Sequence, residues 1–284
     1  MNQELALLIG KRFIQRRDIK AVQIALRDRV IYMPDREMKH LGQDAPLGFL
    51  VPHLHRHLEG LSTYGHYLLD HEDNCRVFTF DIDLKSNDDN FTGYYIPTPT
   101  TGAVLTEEEW EQHSAPVAFD PRSSWADRAH PSRNWLKLQM GMLARKLVSG
   151  IQENLGIKCA AAYSGNKGIH VYGFFETPVQ AAVARRAANL VLNASQEWEL
   201  ARGQQEWKYS LDDPFLGYPN FSLEVYPKQD SLDGKDLGNL VRLPLGRNLK
   251  SPDPTFFLDL TTPPGVMQPH PDPVRLLTEG DPYQ

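Results

Sequence analysis

Two carboxylates spaced two residues apart, Asp81 and Asp83, close the apolar run RVFTFDIDLK over residues 76–85. Val77, Phe78, Thr79 and Phe80 are β-branched or aromatic, and the turn-like HEDN and KSNDDN bound the run, so it reads as a core strand. A strand repeats its faces every two residues, which points both acids the same way with Cα atoms roughly 6.5 to 7 Å apart. Acids so placed repel each other and resist desolvation. A divalent cation compensates them most simply, and hard oxygen ligands suit Mg²⁺ or Mn²⁺. An acid-x-acid pair alone is equally ordinary turn or cap chemistry.

Three further stretches carry reactive types. In SGNKG, Ser164, Lys167 and the backbone N–H groups of a Gly-rich turn, with His170 just beyond, are donors suited to phosphate oxygens. The same spacing equally describes a tight hairpin with a packed histidine. Glu224 is the lone acid of FSLEVYP, where it either faces solvent on an edge strand or joins Asp81 and Asp83. Residues 242–250 hold Arg242, Arg247 and Lys250 with no acid among them, and residues 11–20 hold Lys11, Arg12, Arg16, Arg17 and Lys20 beside Asp18. Arg16, Arg17, Arg247 and Lys250 are candidates for a nucleic-acid groove; the plainer reading is a solvated helix face and a basic loop. His53, His55 and His57 alternate as metal ligands would in an extended segment, or form a loop with one structural and two exposed histidines.

The elements that must position these groups follow from periodicity. Residues 2–17 suit a helix, and 18–33 mix helical and strand character. STYGHYLL reads as a strand pairing with the Asp81 strand across HEDN. Residues 87–132 are polar and irregular, with a short helix near 107–112. Leu136, Met140, Leu143, Leu147 and Ile151 share a helix face, which Gly156 ends. SGNKG then joins two strands. Thr177 and Pro178 are expected to start a helix whose face holds Val179, Val183, Ala187, Leu190 and Ala194. LVRLPLG supplies a last strand. The expected organisation is an N-terminal helical segment (1–48), a catalytic domain (49–250) and a Pro-rich tail (251–284) that lies extended over the surface or is partly disordered.

The chain has 284 residues, 41% of them hydrophobic, enough for one large or two closely packed domains. Cys75 and Cys159 are the only cysteines, which excludes a disulfide framework or a Cys-based zinc site and fits a reducing cytoplasm. The N-terminus lacks the apolar run of a signal peptide or membrane span. A net charge of −6 excludes a surface coated in basic groups for wrapping nucleic acid, though not one basic groove. No GxxxxGK[ST] loop is present.

FDID, YSGNKGIHVYGFF, and LEVYPKQD followed by GNLVRLPLG resemble, in this order, the three active-site motifs of the archaeo-eukaryotic primase superfamily. HLEGLSTYGHYLLDHEDNCRVFTFDID and SSWADRAHPSRNWLKLQ are similar to bacterial primase-polymerases associated with CRISPR operons and related conflict systems; the likeness covers roughly residues 50–250. The resemblance implies an α+β catalytic core with an RRM-like antiparallel sheet, a second α/β subdomain and flanking helices. It implies a template-directed nucleotidyltransferase that extends a DNA primer with dNTPs or NTPs and no membrane association. Asp81, Asp83 and Glu224 would hold two Mg²⁺ or Mn²⁺ ions, with Asp213 the fallback third acid. Ser164 and His170 would contact the incoming triphosphate, with Lys167 and Arg242 as helpers. Lack of the Cys-rich stem that some members use for priming favours extension over de novo synthesis. No helicase or ligase module follows, so the chain is expected to act alone or with other defence or replication proteins. The alternatives are a catalytically silent nucleic-acid binder and a metal-dependent nucleotide-sugar glycosyltransferase.

Overall fold

The computed structural model describes residues 2–35, 50–85, 93–95, 117–120, 125–195, 197–200, 206–209 and 220–281. In chain order the elements are α1 (Asn2–Phe13), β1 (Lys20–Ala25), β2 (Val30–Asp35), α2 (Leu50–Leu58), β3 (Tyr64–Tyr67), β4 (Asn74–Leu84), β5 (Gly93–Tyr95) and β6 (Val117–Phe119). They continue with α3 (Ser132–Leu155), β7 (Lys158–Tyr163), β8 (Gly168–Gln180), α4 (Ala181–Ser195), β9 (Trp198–Leu200), β10 (Glu206–Tyr209), β11 (Phe221–Tyr226), β12 (Leu240–Arg242), β13 (Phe256–Phe257) and α5 (Pro273–Glu279).

The Asp81 strand, β4, is the middle strand of a seven-stranded antiparallel sheet ordered β13-β7-β8-β4-β11-β10-β9. Its alternation decides the architecture. Phe78, Phe80, Ile82 and Leu84 point into the larger core, packed with α3 and α4, while Thr79, Asp81 and Asp83 take the opposite face. The neighbouring strands keep the same parity. Ile169 and Val171 of β8 and Phe221, Leu223 and Val225 of β11 enter that core. Their intervening residues, His170 and Tyr172, Ser222 and Glu224, share the face of the acids. On this second face a smaller core gathers α1, α2, α5 and part of a four-stranded antiparallel sheet, β12-β3-β1-β2. The result is the mixed α+β, two-sheet core expected.

The α3 stripe is as read, with Leu136, Met140, Leu143, Leu147 and Ile151 all buried, and Gly156 ends the helix at φ 61°. Several other expectations are corrected. β3 precedes the expected turn but does not pair with β4. It lies in the small sheet between β1 and β12, and the 70–74 turn carries the chain from one sheet to the other. Thr177 and Pro178 continue β8, whose edge pairing with Asn74 and Cys75 outlasts the local cap signal. α4 therefore starts at Ala181, and its buried face is Ala181, Ala184, Ala188, Val191 and Leu192, leaving Val183 and Leu190 exposed. Small side chains let α4 lie close on the sheet, which a search for large apolar residues passes over. Residues 18–33, left open above, supply β1 and most of β2.

Residues beyond 251 do not lie over the surface. β13 joins the main sheet beside β7, and Phe257, Leu258, Leu260, Leu276 and Leu277 are buried. Asp272 caps α5 by accepting from the Arg275 N–H at 2.9 Å. Most of 87–132, including the expected helix at 107–112, falls outside the described residues. Among the described residues no helix is long and apolar enough to cross a membrane.

Candidate active site

Register builds the site from three strands. Asp81 is opposite His170 on β8 and opposite Glu224 on β11, while Asp83 is opposite Gly168 and Ser222. Residues paired across antiparallel strands project to the same face, so His170, Asp81 and Glu224 form one row. Asp81 and His170 meet at 3.3 Å through Nε2, and the His170 Nδ1 lies 2.9 Å from the Tyr172 hydroxyl. Among the described residues the ion-pair partner of Asp83 is the Lys167 ammonium, at 3.9 Å, and that ammonium donates to the Leu84 carbonyl at 3.0 Å. Glu224 is turned aside, accepting from Lys228 Nζ at 2.6 Å and from the Tyr226 hydroxyl at 2.9 Å.

Two glycines make the local geometry possible. A Cβ on Gly168 would stand 2.2 Å from the Asp83 Oδ1 and 2.2 Å from the Ile82 carbonyl, so the missing side chain is the space the carboxylate occupies. Gly165 turns the hairpin at φ 73°, where a Cβ would also meet Thr255 at 2.5 Å. The SGNKG segment is thus a true hairpin connection, closed by the Ser164 N–H donating to Gly168 O at 3.0 Å. The hairpin geometry leaves the Ser164, Lys167 and His170 side chains at the cleft.

These groups line an open cleft of about 320 Å³ between the two sheets. Asp81 and Asp83 form one wall with Ser164, Lys167 and His170; Tyr32, Gln23, Arg242, Asn248 and Lys250 face them. Electrostatics divides the acids. Burial opposes ionisation of Asp81, but interaction with His170, then the charges of Arg242 and Lys228, outweigh it and hold its carboxyl below the usual range. Asp83 moves the other way: burial and then the Asp81 charge raise it, against Lys167, His170 and Lys250. Burial and then the nearby acids raise the Tyr226 phenol, which stays protonated and able to donate to Glu224.

Of the sequence candidates, Asp81, Asp83, Ser164, Lys167, His170, Arg242 and Lys250 line this cleft, and Glu224 adjoins it. Arg242 is 9% exposed, and its guanidinium donates to the Ser164 carbonyl at 2.7 Å and the Leu243 carbonyl at 3.2 Å. Lys250 belongs to the cleft itself, not to a groove elsewhere. Arg247 stands beside the 60–63 turn, its carbonyl accepting from the Thr63 hydroxyl.

Much of the N-terminal basic cluster is buried rather than solvated. Arg16, 2% exposed, forks onto Asp18 at 2.9 and 3.0 Å and reaches Asp236, while Arg12 donates to the Leu277 carbonyl at 2.8 Å and Lys20 pairs with Asp35 at 2.7 Å. Only Lys11, Arg17 and Asp18 of the cluster are exposed. Buried guanidiniums need several carbonyls and carboxylates at once, supplied here by segments distant in sequence. The alternating histidines lie on α2 rather than in an extended segment or loop. His57 is buried, with Tyr64 N–H donating to Nδ1 at 3.1 Å and Nε2 donating to Pro244 O at 2.9 Å, while His53 and His55 are partly exposed. The one structural histidine of the loop reading is present, but the other two are half-buried on a helix rather than exposed in a loop, and His53 packs edge-on to Tyr64 at 5.5 Å. Asp213 lies outside the described residues.

Gln23, Tyr32 and Asn248 are the cleft residues that sequence reasoning passed over. They are neutral, sit in no motif, and reach the site only through the packing of one sheet on the other.

A family model describing the archaeo-eukaryotic primase domain of the TOTE conflict system matches residues 13–280. The chain belongs to this family. The match embraces both sheets, the cleft between them and the C-terminal helix α5. It makes the chain a primase-type nucleotidyltransferase domain, a class that works on nucleotides and nucleic acid with divalent metal. It gives no support to the glycosyltransferase alternative, which had no use for the SGNKG turn or the Glu224 strand. A search of curated proteins found no match.

Proposed function

We infer that the chain is a template-directed polymerase that adds dNTPs or NTPs to a primer 3′ end on a DNA template, acting in a conflict-system setting with divalent metal. The observation that carries this reading is the meeting, in one cleft, of an under-compensated acid pair with the Ser164, Lys167, His170 and Lys250 donors.

Fit to a metal follows from the donor set. Asp81 and Asp83 are hard oxygen ligands on one face, and mutual repulsion already disfavours the charge on Asp83. Among the described residues no three His, Cys, Asp or Glu side chains are grouped to hold an ion. An ion held by Asp81 and Asp83 would therefore need substrate phosphates and water to complete its coordination. Glu224, now held by Lys228, would be available as a third ligand only with that bond open. Bound divalent ions would supply activation of the primer hydroxyl and neutralisation of the leaving pyrophosphate.

The protein's own residues do the positioning. The 164–168 turn presents the Ser164 hydroxyl, the Lys167 ammonium and backbone N–H groups to the triphosphate. His170, held between Asp81 and Tyr172, has its ring direction fixed. Lys250 adds charge from the opposite wall, and Arg242 acts first on the turn, since its guanidinium already serves the Ser164 carbonyl.

The test is extension of a labelled primer on a DNA template with Mg²⁺ or Mn²⁺, supplying dNTPs and NTPs separately, beside an unprimed template. Template-dependent products that disappear in Asp81→Ala support the reading, and unprimed products add priming. A folded protein that incorporates nothing under any condition overturns it in favour of a silent nucleic-acid binder.

A further inference from the structure

Three buried side chains, from two other parts of the chain, converge on the Ser164 carbonyl and its surroundings. That oxygen accepts from Arg242 Nη2 at 2.7 Å and from Asn248 Nδ2 at 3.0 Å. The Asn248 Oδ1 accepts in turn from the Lys250 N–H at 3.1 Å and from Gln23 Nε2 at 3.4 Å. Gln23 also accepts from the Leu249 N–H at 2.8 Å, and its own backbone N–H donates to Thr63 O at 2.8 Å. Ser164, Arg242, Asn248 and Gln23 are each at most 9% exposed.

We propose that Gln23 and Asn248 are positioning residues for the nucleotide: with Arg242 they latch the 164–168 turn to the small sheet, and so set where its hydroxyl and N–H donors point. The inference rests on the reading that this turn receives a triphosphate. The base of the turn is closed by the Ser164 to Gly168 hydrogen bond and its tip is held by the Tyr163 hydroxyl and the Trp125 indole N–H, both donating to the Asn166 carbonyl; Gly165 adds conformational freedom between these points, and the latch acts there, on the Ser164 carbonyl. The carbonyl of Ser164 is the one group whose direction fixes the following peptide plane, and both of its lone pairs are taken by the latch. Lys250 is carried by the same device, through the bond from its N–H to Asn248, so one asparagine orients donors on both walls of the cleft. Gln23 ties the assembly to β1, one of the two central strands of the small sheet, and the latch therefore transmits any shift between the sheets to the phosphate-facing turn.

Two measurements on the full chain test this together. Isothermal titration of dGTP and of GTP with Mg²⁺, without template, reads affinity; hydrogen exchange of the ligand-free protein reads the turn. Asn248→Ala is expected to raise Kd about tenfold, the effect of one buried hydrogen bond with its orphaned partner. Gln23→Ala, one step removed, is expected to raise it about threefold. In both variants amide exchange of residues 163–168 should quicken without ligand, while exchange across 77–82 of β4 stays at the wild-type rate.

Unchanged affinity with faster exchange would make the latch purely structural and overturn the proposal. Weakened affinity with unchanged exchange would make these side chains direct nucleotide contacts, which also overturns it. A wild-type protein that binds no triphosphate overturns it as well. A wild-type protein that binds triphosphate through the latch yet never extends a primer leaves the positioning role intact and removes the polymerase reading instead.

Discussion

Asp83 is the residue where chemistry and stability oppose each other most directly. Burial and Asp81 raise its carboxyl, so its charge at neutral pH strains the metal-free fold, although water in the cleft reaches a side chain that is 45% exposed. Asp83→Asn is expected to abolish primer extension while stabilising the protein in chelator by on the order of 1 kcal/mol after allowance for screening. Urea unfolding at pH 7.5 checks this, and a less stable variant would mean that the carboxylate is well satisfied without metal. Gly168→Ala tests the same contact from the other side, because the new methyl meets the carboxylate and a carbonyl at 2.2 Å. Displacing the acid should cost about 10²-fold in extension rate, read as kcat with primer and nucleotide saturating. The acids, the turn and His170 were legible because their types are rare in an apolar strand and their spacing fixes a shared face. Gln23 and Asn248 were not, since neutral amides have no spacing signature and their partners are chosen by tertiary packing. Arg12 and Arg16 misled for the same reason: a buried guanidinium and a solvated one look alike until the distant carbonyls and carboxylates are in place.

At the scale of elements, local periodicity served where burial is one-sided and long. α3 and the alternation of β4 and β11 were legible in this way. It failed where neighbours override a local signal, as in β8 running through Thr177 and Pro178, and where pairing is non-local, as in β3 joining the small sheet. The C-terminal segment failed most plainly. Its prolines suggested an extended surface strand, yet Pro264 is pressed against α3 so closely that a Cβ on Gly141 would lie 2.0 Å from the Pro264 carbonyl. Arg145 donates to the Leu260 carbonyl at 2.9 Å in the next turn of the same helix. The absence of a side chain at Gly141 is therefore what lets residues 260–264 dock. Helix propensity alone favours Gly141→Ala by ~1 kcal/mol; the clash reverses the sign, and a net loss of ~1–3 kcal/mol is expected. Denaturant midpoints decide between the two, and a stabilised variant would mean that the segment does not dock on α3.

For the molecule as a whole, the proposed function depends on two sheets holding one cleft between them, and the junction contains two neutral, buried histidines. His66 lies on β3, edge-on to Phe13 with ring centroids 6.0 Å apart, and His57 supports the loop after β12, where a Cβ on Gly246 would meet its ring at 2.0 Å. Burial above all lowers His57 to about 4 and His66 to about 3, against ~6.5 for an unfolded histidine. Since the folded groups refuse protons that the unfolded chain accepts, stability is complete above pH ~6.5 and falls with pH, through the window down to about 4 for His57 and about 3 for His66. Each contributes up to ~1.4 kcal/mol per pH unit, so the pair removes on the order of 4 kcal/mol between pH 7 and pH 5. Asp83 works against this: raised in the fold to about 6, it takes its proton before the unfolded chain does and stabilises the protein as pH falls. The Asp83→Asn background removes that opposing contribution. In it, urea midpoints should be level from pH 8 to 7 and drop steeply from 6.5 to 5. The drop should shrink by about half in a folded His66→Phe variant, which keeps the edge-on packing without the titrating nitrogens. A level profile from pH 7 to 5 would mean that acid admits protons to the junction without unfolding it, and the two sheets would then be joined less tightly than the buried rings imply.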